Sequence, residues 1–291
     1  MSEANESSRL LRALHRRIAF VFDFDETLAS RTTDALLDHL GVDRDEFESK
    51  VDDLVDDGWE KRFAECHCLV GISRSERGPI TMETFAEVAE SLELYPGVDR
   101  LHERVSAAIH EIDPEVEVEF HLLTAGFVEI PSRTSVADHF ASIVGGHWNF
   151  DEDGAIEAPR STVGHYDKVR HLKRIAKGLD STDATRRRDI DASLPEEEWH
   201  VPYEQMVFVA DGDSDLPSFD LMESNAGTAI AVGQSLDDVE WENRDSMREG
   251  RRVLTLLESD YSEGSPLLTA LCAAGQRAAL WIRILDTAER D

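Results

Sequence analysis

Residues 18–24 read IAFVFDF, and the chain continues with Asp25-Glu26-Thr27. A continuous apolar run of this length predicts a strand buried on both faces, as in a parallel sheet. Asp23 then lies at the carboxyl end of the strand, where open α/β sheets place their sites. Because alternate residues of an extended segment share a face, Asp23 and Asp25 can approach one ligand together.

Further strands and helices alternate along the chain. Helical patterns at 98–112 and 166–177 separate strand-like segments. Alternating strands and helices indicate an α/β fold, so we predict a doubly wound, Rossmann-like, mainly parallel sheet with helices on both faces. The other predicted strands are 116–123 (VEVEFHLL), 142–148, the segment from 205 (QMVFVADGD) and 227–232 (GTAIAV), with a turn at 151–154 (DEDG) that leads into a short hairpin.

Residues 30–95 differ from the rest of the chain. Apolar residues recur there at helical spacing, and strand-like runs are scarce. Tyr95-Pro96-Gly97 punctuates the end of this segment. We therefore predict a helical cap domain over 30–95, inserted after the first strand, and an α/β core domain made of 1–29 and 96–291.

Two more strands end in polar residues suited to phosphoryl chemistry. The second strand leads to Thr124-Ala125-Gly126, a hydroxyl followed by small residues that let backbone N–H groups approach a phosphoryl oxygen. The segment from 205 leads to DGDSD at 211–215, and clustered carboxylates at a strand end bind a hard cation such as Mg²⁺.

A lysine lies between these two segments. Lys168 falls at the predicted start of a helix, where an ammonium can neutralise phosphoryl oxygens and an attacking carboxylate. Lys173 and Lys177 are the alternatives, but both lie further along the helix.

Taken in order, these segments resemble the motif series of the haloacid dehalogenase (HAD) superfamily of hydrolases over roughly residues 17–233. The likeness is to the phosphoserine-phosphatase-like branch in particular. It implies Mg²⁺-dependent hydrolysis of a phosphomonoester through an aspartyl-phosphate. The segments that carry the resemblance are FDFDETLA at 22–29, YPGV at 95–98, LLTAG at 122–126, YDK at 166–168 and VADGDSDLP at 209–217.

The resemblance also implies roles in the reaction for residues of two segments and a lysine. Asp23 is the nucleophile, and Asp25 is the general acid and base. Thr124 holds the phosphoryl group together with the backbone of Ala125 and Gly126. Lys168 stabilises the charge of the intermediate.

The same resemblance implies a Mg²⁺ site. Asp23 contributes its second carboxylate oxygen, and Asp25 contributes its backbone carbonyl. Asp211 and Asp215 complete the site, directly or through water, with Asp213 as the alternative to Asp215.

The acid at position 25 favours phosphate-ester hydrolysis or phosphoryl transfer over dehalogenation, because dehalogenases of the superfamily lack an acid there. A phosphotransferase or mutase, in which another hydroxyl replaces water, is the alternative to hydrolysis. A non-catalytic binding protein would be favoured by an incomplete motif set, and every position is filled here.

Arg62, Glu65 and Arg74 are the candidates for substrate contacts from the cap.

The chain is strongly acidic, with 61 Asp and Glu against 30 Lys and Arg and a formal net charge of −31. Nucleic acid and anionic membranes need a basic footprint, so we predict neither as a partner and expect a small phosphorylated metabolite instead. Only 5 of the basic residues are lysines. This scarcity favours adaptation to high salt over an ordinary solvated surface.

Three features favour the cytoplasm. No apolar run is long enough to span a membrane, and the first residues do not read as a secretory signal. The three cysteines, Cys66, Cys68 and Cys272, cannot all pair, so no disulfide framework is implied. Cys66-His67-Cys68 is too tightly spaced for a zinc site.

Overall fold

The computed structural model describes residues 16–179, 194–195, 198–212, 215–234 and 255–289. Within these residues, seven strands form one sheet in the order β4-β3-β2-β1-β5-β6-β7. All neighbouring pairs are parallel except β3 and β4. The strands are β1 (Arg17–Phe22), β2 (Glu117–Phe127), β3 (Ser142–Phe150), β4 (Ile156–Ser161), β5 (Met206–Ala210), β6 (Thr228–Gly233) and β7 (Thr255–Glu258).

Helices connect the strands and cover both faces of the sheet. The α-helices are α1 (Thr32–His39), α2 (Arg44–Asp56), α3 (Lys61–Ser73), α4 (Met82–Ser91), α5 (Leu101–His110), α6 (His165–Lys177), α7 (Leu216–Ser224) and α8 (Pro266–Glu289). Short 3₁₀ turns lie at Val98–Arg100, Pro131–Arg133, Ala137–His139 and Tyr203–Gln205. The predicted α/β fold, with its doubly wound and mainly parallel sheet, is confirmed.

The two faces of β1 bury different side chains. Phe20 and Phe22 point to a cluster formed with α5 and α8, whereas Ala19 and Val21 point to a cluster formed with α6 and α7. All four side chains are fully buried. A strand buried on both faces needs a continuous apolar run, which explains the composition of residues 18–22.

Two strands differ from the prediction. β2 does not stop before Thr124 but continues to Phe127, because it shifts its register against β3 between Leu123 and Phe127 and pairs again. β7, over Thr255–Glu258, was not predicted. It is a short edge strand without a strong apolar pattern, and its pairing with β6 provides its order.

Of the helices between β1 and β2, α1 to α4 pack around a third hydrophobic cluster, separate from the two clusters on the faces of β1. Local capping explains their starts: Asp43 and Glu60 accept from the first turns of α2 and α3, and Thr81 forms a capping box with Thr84 at α4. Trp148 of β3 belongs to the same cluster, so the helices rest on this edge of the sheet. The division into cap and core domains at residues 30 and 95 stays a prediction.

The chain crosses between sheet and helical insertion at two adjacent points. Ala29 forms a bridge with Leu94, and the Tyr95 N–H donates to the Leu28 carbonyl over 2.9 Å. The entry and exit of the insertion are therefore held together beside Asp23.

None of the described helices has the length and apolar character needed to cross a membrane.

Candidate active site

Asp23 lies directly after β1, at the carboxyl end of the sheet. Its N–H donates to the Val209 carbonyl of β5 over 2.9 Å, so the parallel pairing of β1 extends to this residue. Its Oδ1 accepts from the Phe24 N–H over 2.8 Å, and its Oδ2 accepts from Lys168 Nζ over 2.9 Å. The backbone of two neighbouring strands thus fixes the position of this carboxylate.

Asp25 faces the same space from the turn that follows. Its Oδ1 accepts from the Thr32 N–H at the start of α1, over 2.7 Å. Burial raises the pKa of Asp25 to about 6; the hydrogen bond from Thr32 opposes this shift, and the charge of Asp23 adds to it. A carboxyl group with a pKa of this kind can both give and take a proton near neutral pH.

Glu26 holds the turn in an uncommon conformation, with a positive φ of 57°. Its side chain accepts from the Arg31 N–H over 3.2 Å and from Gln234 Nε2 over 2.7 Å. The Tyr95 hydroxyl lies 3.4 Å from the same carboxylate. These contacts join the turn after Asp25 to the exit of the helical insertion and to the end of β6.

Thr124 and Gly126 face Asp25 from β2. The Thr124 side chain is almost fully buried, and its Oγ1 accepts from the Gly126 N–H over 2.9 Å. A Cβ added to Gly126 would lie 2.9 Å from Asp25 Oδ2, so a larger residue would displace that carboxylate. Gly145 of β3 leaves space for Thr124 in a similar way, because a Cβ at position 145 would lie 2.8 Å from the methyl carbon of Thr124. The sequence analysis missed Gly145, because the contact depends on the β2–β3 register.

Lys168 lies in the first turn of α6 and is completely buried. The turn is held by the Asp167 carboxylate, which accepts from the Gly164 N–H over 2.9 Å. Lys168 Nζ donates to Asp23 Oδ2 over 2.9 Å and to Asp215 Oδ1 over 2.7 Å. Burial acts to lower the pKa of Lys168, but these two carboxylates outweigh it and raise that pKa. Lys168, rather than Lys173 or Lys177, is therefore the lysine placed against Asp23.

Three carboxylates meet at this end of the sheet. Asp23, Asp211 and Asp215 each offer an oxygen, and these oxygens lie within 4.8 Å of one another. Burial, together with repulsion from Asp23 and Asp215, raises the pKa of Asp211 in spite of the nearby Lys168. Three acids facing one ammonium leave excess negative charge, and hard oxygen donors of this kind fit Mg²⁺. The alternative ligand, Asp213, lies outside the described residues.

The site opens into a cavity of about 240 Å³ between the sheet and the helical insertion. Glu26, Arg31 and Thr33 also line this cavity and were not among the predicted site residues; all three lie within ten residues after Asp23. Arg74 is exposed at the end of α3 and does not line the cavity. The lining residues are Asp23, Asp25, Glu26, Arg31, Thr33, Arg62, Glu65, Thr124, Ala125, Gly126 and Asp211.

Two of the predicted cap candidates form the wall opposite the sheet. Arg62 donates to Glu65 Oε2 over 2.8 Å, and both lie on α3. Burial raises the pKa of the Glu65 carboxyl, although Arg62 and Arg31 act against this shift. The wall therefore consists of an ion pair turned toward the carboxylates of the sheet.

At the level of sequence, similarity to known proteins is distant. No protein-family model matches the chain. An uncharacterised protein of Borreliella burgdorferi is 20% identical over 277 residues, which cover 86% of this chain and 93% of that protein.

Solved structures are similar over most of the chain. A HAD-family hydrolase from Salmonella enterica serovar Typhi superposes with a TM-score of 0.56 at 14% identity, covering 90% of this chain and 72% of its own. A substrate-bound phosphoserine phosphatase gives 0.54 at 14% identity, with coverages of 88% and 97%. A probable phosphoserine phosphatase from Vibrio cholerae gives 0.55 at 13% identity, with coverages of 94% and 68%.

These structures define the class of the fold. The protein has the Rossmann-like fold of HAD hydrolases, and within that fold it is similar to phosphoserine phosphatases. The resemblance predicted from the motif series is thereby confirmed at the level of the fold.

Proposed function

We propose that the protein is a Mg²⁺-dependent phosphomonoester hydrolase that forms an aspartyl-phosphate on Asp23. The observation that carries this proposal is the environment of the Asp23 carboxylate. One of its oxygens contacts the buried ammonium of Lys168, and the residue also lines the cavity and belongs to a cluster of three acids. The fold of HAD phosphatases supports the same reaction.

In the first step, an Asp23 oxygen attacks the phosphorus atom. An O–P bond forms to Asp23 while the ester O–P bond breaks, and the leaving oxygen takes the proton of Asp25. The raised pKa of Asp25, about 6, keeps a protonated fraction available for this transfer. In the second step, Asp25 takes a proton from water, the water oxygen bonds to phosphorus, and the Asp23–phosphorus bond breaks.

Positioning and charge neutralisation carry most of the catalysis of phosphoryl transfer. In this proposal the Thr124 hydroxyl and the backbone N–H groups of Ala125 and Gly126 hold the phosphoryl oxygens. Lys168 offsets the negative charge beside Asp23. Asp23, Asp211, Asp215 and the Asp25 carbonyl would hold a Mg²⁺ ion, which would supply further positive charge for the transfer.

The cavity has room for a small substrate. About 240 Å³ accommodates a phosphoryl group with a small leaving group, which supports our proposal of a small phosphorylated metabolite as substrate. Water is the acceptor in the second step of this proposal. Product analysis separates hydrolysis, which releases inorganic phosphate, from transfer to another hydroxyl.

The proposal is tested with an aryl phosphate. Turnover should require Mg²⁺ and stop in excess EDTA. Rapid quenching followed by mass spectrometry should find a phosphate adduct on the peptide that contains Asp23. Asp23→Asn should lose turnover by several orders of magnitude and form no adduct. An adduct on Ser, Thr or His, or undiminished turnover in EDTA, would contradict the proposal.

A further inference from the structure

Glu26, directly after Asp25, has a backbone conformation that is unfavourable for a residue with a side chain. Among the described residues, only Glu26 and Ala226 combine a Cβ atom with a positive φ, of 57° and 59°. The left-handed region is costly for such a residue, which stays there only where its surroundings hold it. Interactions around Glu26 must therefore offset this cost.

Donors from three parts of the chain engage both oxygens of the Glu26 carboxylate. Its Oε1 accepts from the Arg31 N–H over 3.2 Å, and its Oε2 accepts from Gln234 Nε2 over 2.7 Å and from the Tyr95 hydroxyl over 3.4 Å. Gln234 Nε2 also donates to the Tyr95 hydroxyl over 2.7 Å, so these two side chains hold each other in place. Glu26 lines the cavity, but its carboxylate is occupied by donors of the protein itself.

The backbone of the same turn is held from the other side. Ser259 Oγ, just after β7, donates to the Glu26 carbonyl over 3.3 Å, and the Tyr261 hydroxyl donates to the Thr27 carbonyl over 2.9 Å. The Glu26 N–H donates to the Ala29 carbonyl over 2.7 Å. Side-chain and backbone contacts together fix the left-handed conformation of Glu26.

This conformation brings Asp25 to the start of α1. Asp25 Oδ1 accepts from the Thr32 N–H over 2.7 Å, one residue after the N–H that Glu26 binds. Arg31 precedes α1 and makes no side-chain cap, so the two carboxylates satisfy N–H groups at the start of the helix. Rotation of Glu26 to a negative φ would redirect the chain between Asp25 and Thr32. The hydrogen bond that orients the Asp25 carboxylate would then be lost.

We propose that Glu26 is a positioning residue for Asp25. Its carboxylate holds the turn in the left-handed conformation from which Asp25 reaches the leaving oxygen of the substrate. This inference rests on the proposed phosphatase activity and adds to it a residue that acts through the backbone, without touching the substrate. A direct contact between the Glu26 carboxylate and the substrate is the competing role.

The test compares two substitutions of Glu26. Glu26→Ala removes the side-chain contacts but keeps a Cβ, so the turn should leave the left-handed region. Glu26→Gly removes the same contacts, but glycine adopts a positive φ without steric cost, so the turn can keep its conformation. A positioning role predicts that Glu26→Ala impairs proton transfer by Asp25 and that Glu26→Gly largely restores it. A direct substrate contact would be lost equally in both variants.

The readout is the dependence of kcat/KM on the leaving group. 4-Nitrophenyl phosphate releases a weakly basic phenolate, whereas phenyl phosphate releases a more basic one that needs the proton of Asp25. The kcat/KM for the first ester divided by that for the second therefore reports the placement of Asp25 rather than the stability of the fold. Glu26→Ala should raise this ratio by about tenfold or more, and Glu26→Gly should stay within about threefold of the wild type.

Ala226→Gly is the matched control. Ala226 has nearly the same φ as Glu26 but lies between α7 and β6, at the amino end of the sheet. This variant should keep the wild-type ratio. An unchanged ratio in Glu26→Ala, or a rise in Glu26→Gly as large as that in Glu26→Ala, overturns the inference.

Turnover by the wild type separates the possible failures. If the wild type hydrolyses neither ester, the proposed function fails and this inference fails with it. If it hydrolyses both and the ratios do not respond as described, the phosphatase proposal stands and only the role of Glu26 fails.

A second variant keeps the test decisive if Glu26→Ala does not fold. Gln234→Ala removes the shortest of the three hydrogen bonds to the Glu26 carboxylate and leaves the turn residues unchanged. It should raise the same ratio by about threefold, because one stabilising contact of the turn is lost. An unchanged ratio in Gln234→Ala overturns the inference.

Discussion

The two ends of the sheet both carry clusters of charge, and they are balanced in opposite ways. At the amino end, Glu119 lies 2.7 Å from Arg17 Nε, 2.9 Å from His200 Nε2 and 3.3 Å from His121 Nε2. At the carboxyl end, three acids surround one buried lysine. The first cluster has more donors than acids, and the second has more acids than donors.

The difference separates a structural cluster from a candidate ligand site. Hydrogen bonds from His121 and His200 and the charge of Arg17 outweigh the effect of burial, so the pKa of Glu119 falls below its usual range. At the other end, burial and mutual repulsion raise the pKa of Asp211. A buried cluster that keeps excess charge gains from a bound ion, whereas a satisfied one does not.

The largest expected effect comes from removing the lysine at the carboxyl end. Lys168→Met leaves Asp23 and Asp215 buried without their ammonium, which should destabilise the protein by about 3–5 kcal/mol and abolish turnover. Urea denaturation in EDTA measures this loss without a compensating metal. Lys173→Met, further along α6, should cost little. Similar unfolding midpoints for Lys168→Met and the wild type would refute the pairing described here.

A substitution of Asp25 tests the proposed catalysis at the carboxyl end of the sheet, with a smaller loss of stability than Lys168→Met. Asp25→Asn should slow turnover by about 10²–10⁴-fold, because it removes the proposed general acid and base. Burial already disfavours the charge of Asp25, so the neutral amide should not lower the thermal midpoint at pH 7. With an aryl phosphate, the second step needs the base more than the first, so the phosphoenzyme should accumulate. Wild-type turnover in this variant would exclude Asp25 from the proton transfers.

A smaller effect is expected at the amino end. The folded pKa of Glu119 is lowered, so its ionised form stabilises the protein above the unfolded pKa of about 4.3, and this stabilisation declines as the pH falls further. Glu119→Gln should therefore destabilise by about 1 kcal/mol between pH 5 and 7, since water screens the cluster partly, and by less at pH 3.

The measurement is urea denaturation at each pH, with Glu117→Gln as the control. Glu117 also pairs with Arg17, but its side chain is 63% exposed. It should contribute little at any pH. A loss in Glu119→Gln that is as large at pH 3 as at pH 7 would mean that packing, not charge, explains the effect.

The smallest effect concerns the surface rather than either cluster. The net charge of −31 should make the folded protein repel itself at low ionic strength. Molar KCl should therefore raise the thermal midpoint by a few degrees and improve turnover of an aryl phosphate, through screening of exposed acids. Buried clusters are screened much less. A midpoint that stays flat or falls between low and molar KCl would argue against adaptation to high salt.

Most of the fold and of the proposed reaction centre could be predicted from local pattern. The apolar run before Asp23 predicted β1, and the helical pattern near Lys168 predicted α6; both were found. Edge strand β7 could not be predicted, since its pairing with β6 rather than its own composition orders it. The small residue at Gly145 is explained by its close neighbours on β2 and just after it, Thr124, Gly126 and Val128, which lie 17 to 21 positions earlier in the chain and adjacent across the sheet.

The sequence by itself determined that Asp23 and Asp211 follow the buried strands β1 and β5, because a buried strand must be apolar and a polar residue marks where these two strands stop. It did not determine how the charges pair. Only the tertiary structure places Lys168 Nζ within hydrogen-bond distance of both Asp23 and Asp215. The physical reason is that pairing depends on distances between residues far apart in the chain, whereas a strand and its end are properties of neighbouring residues.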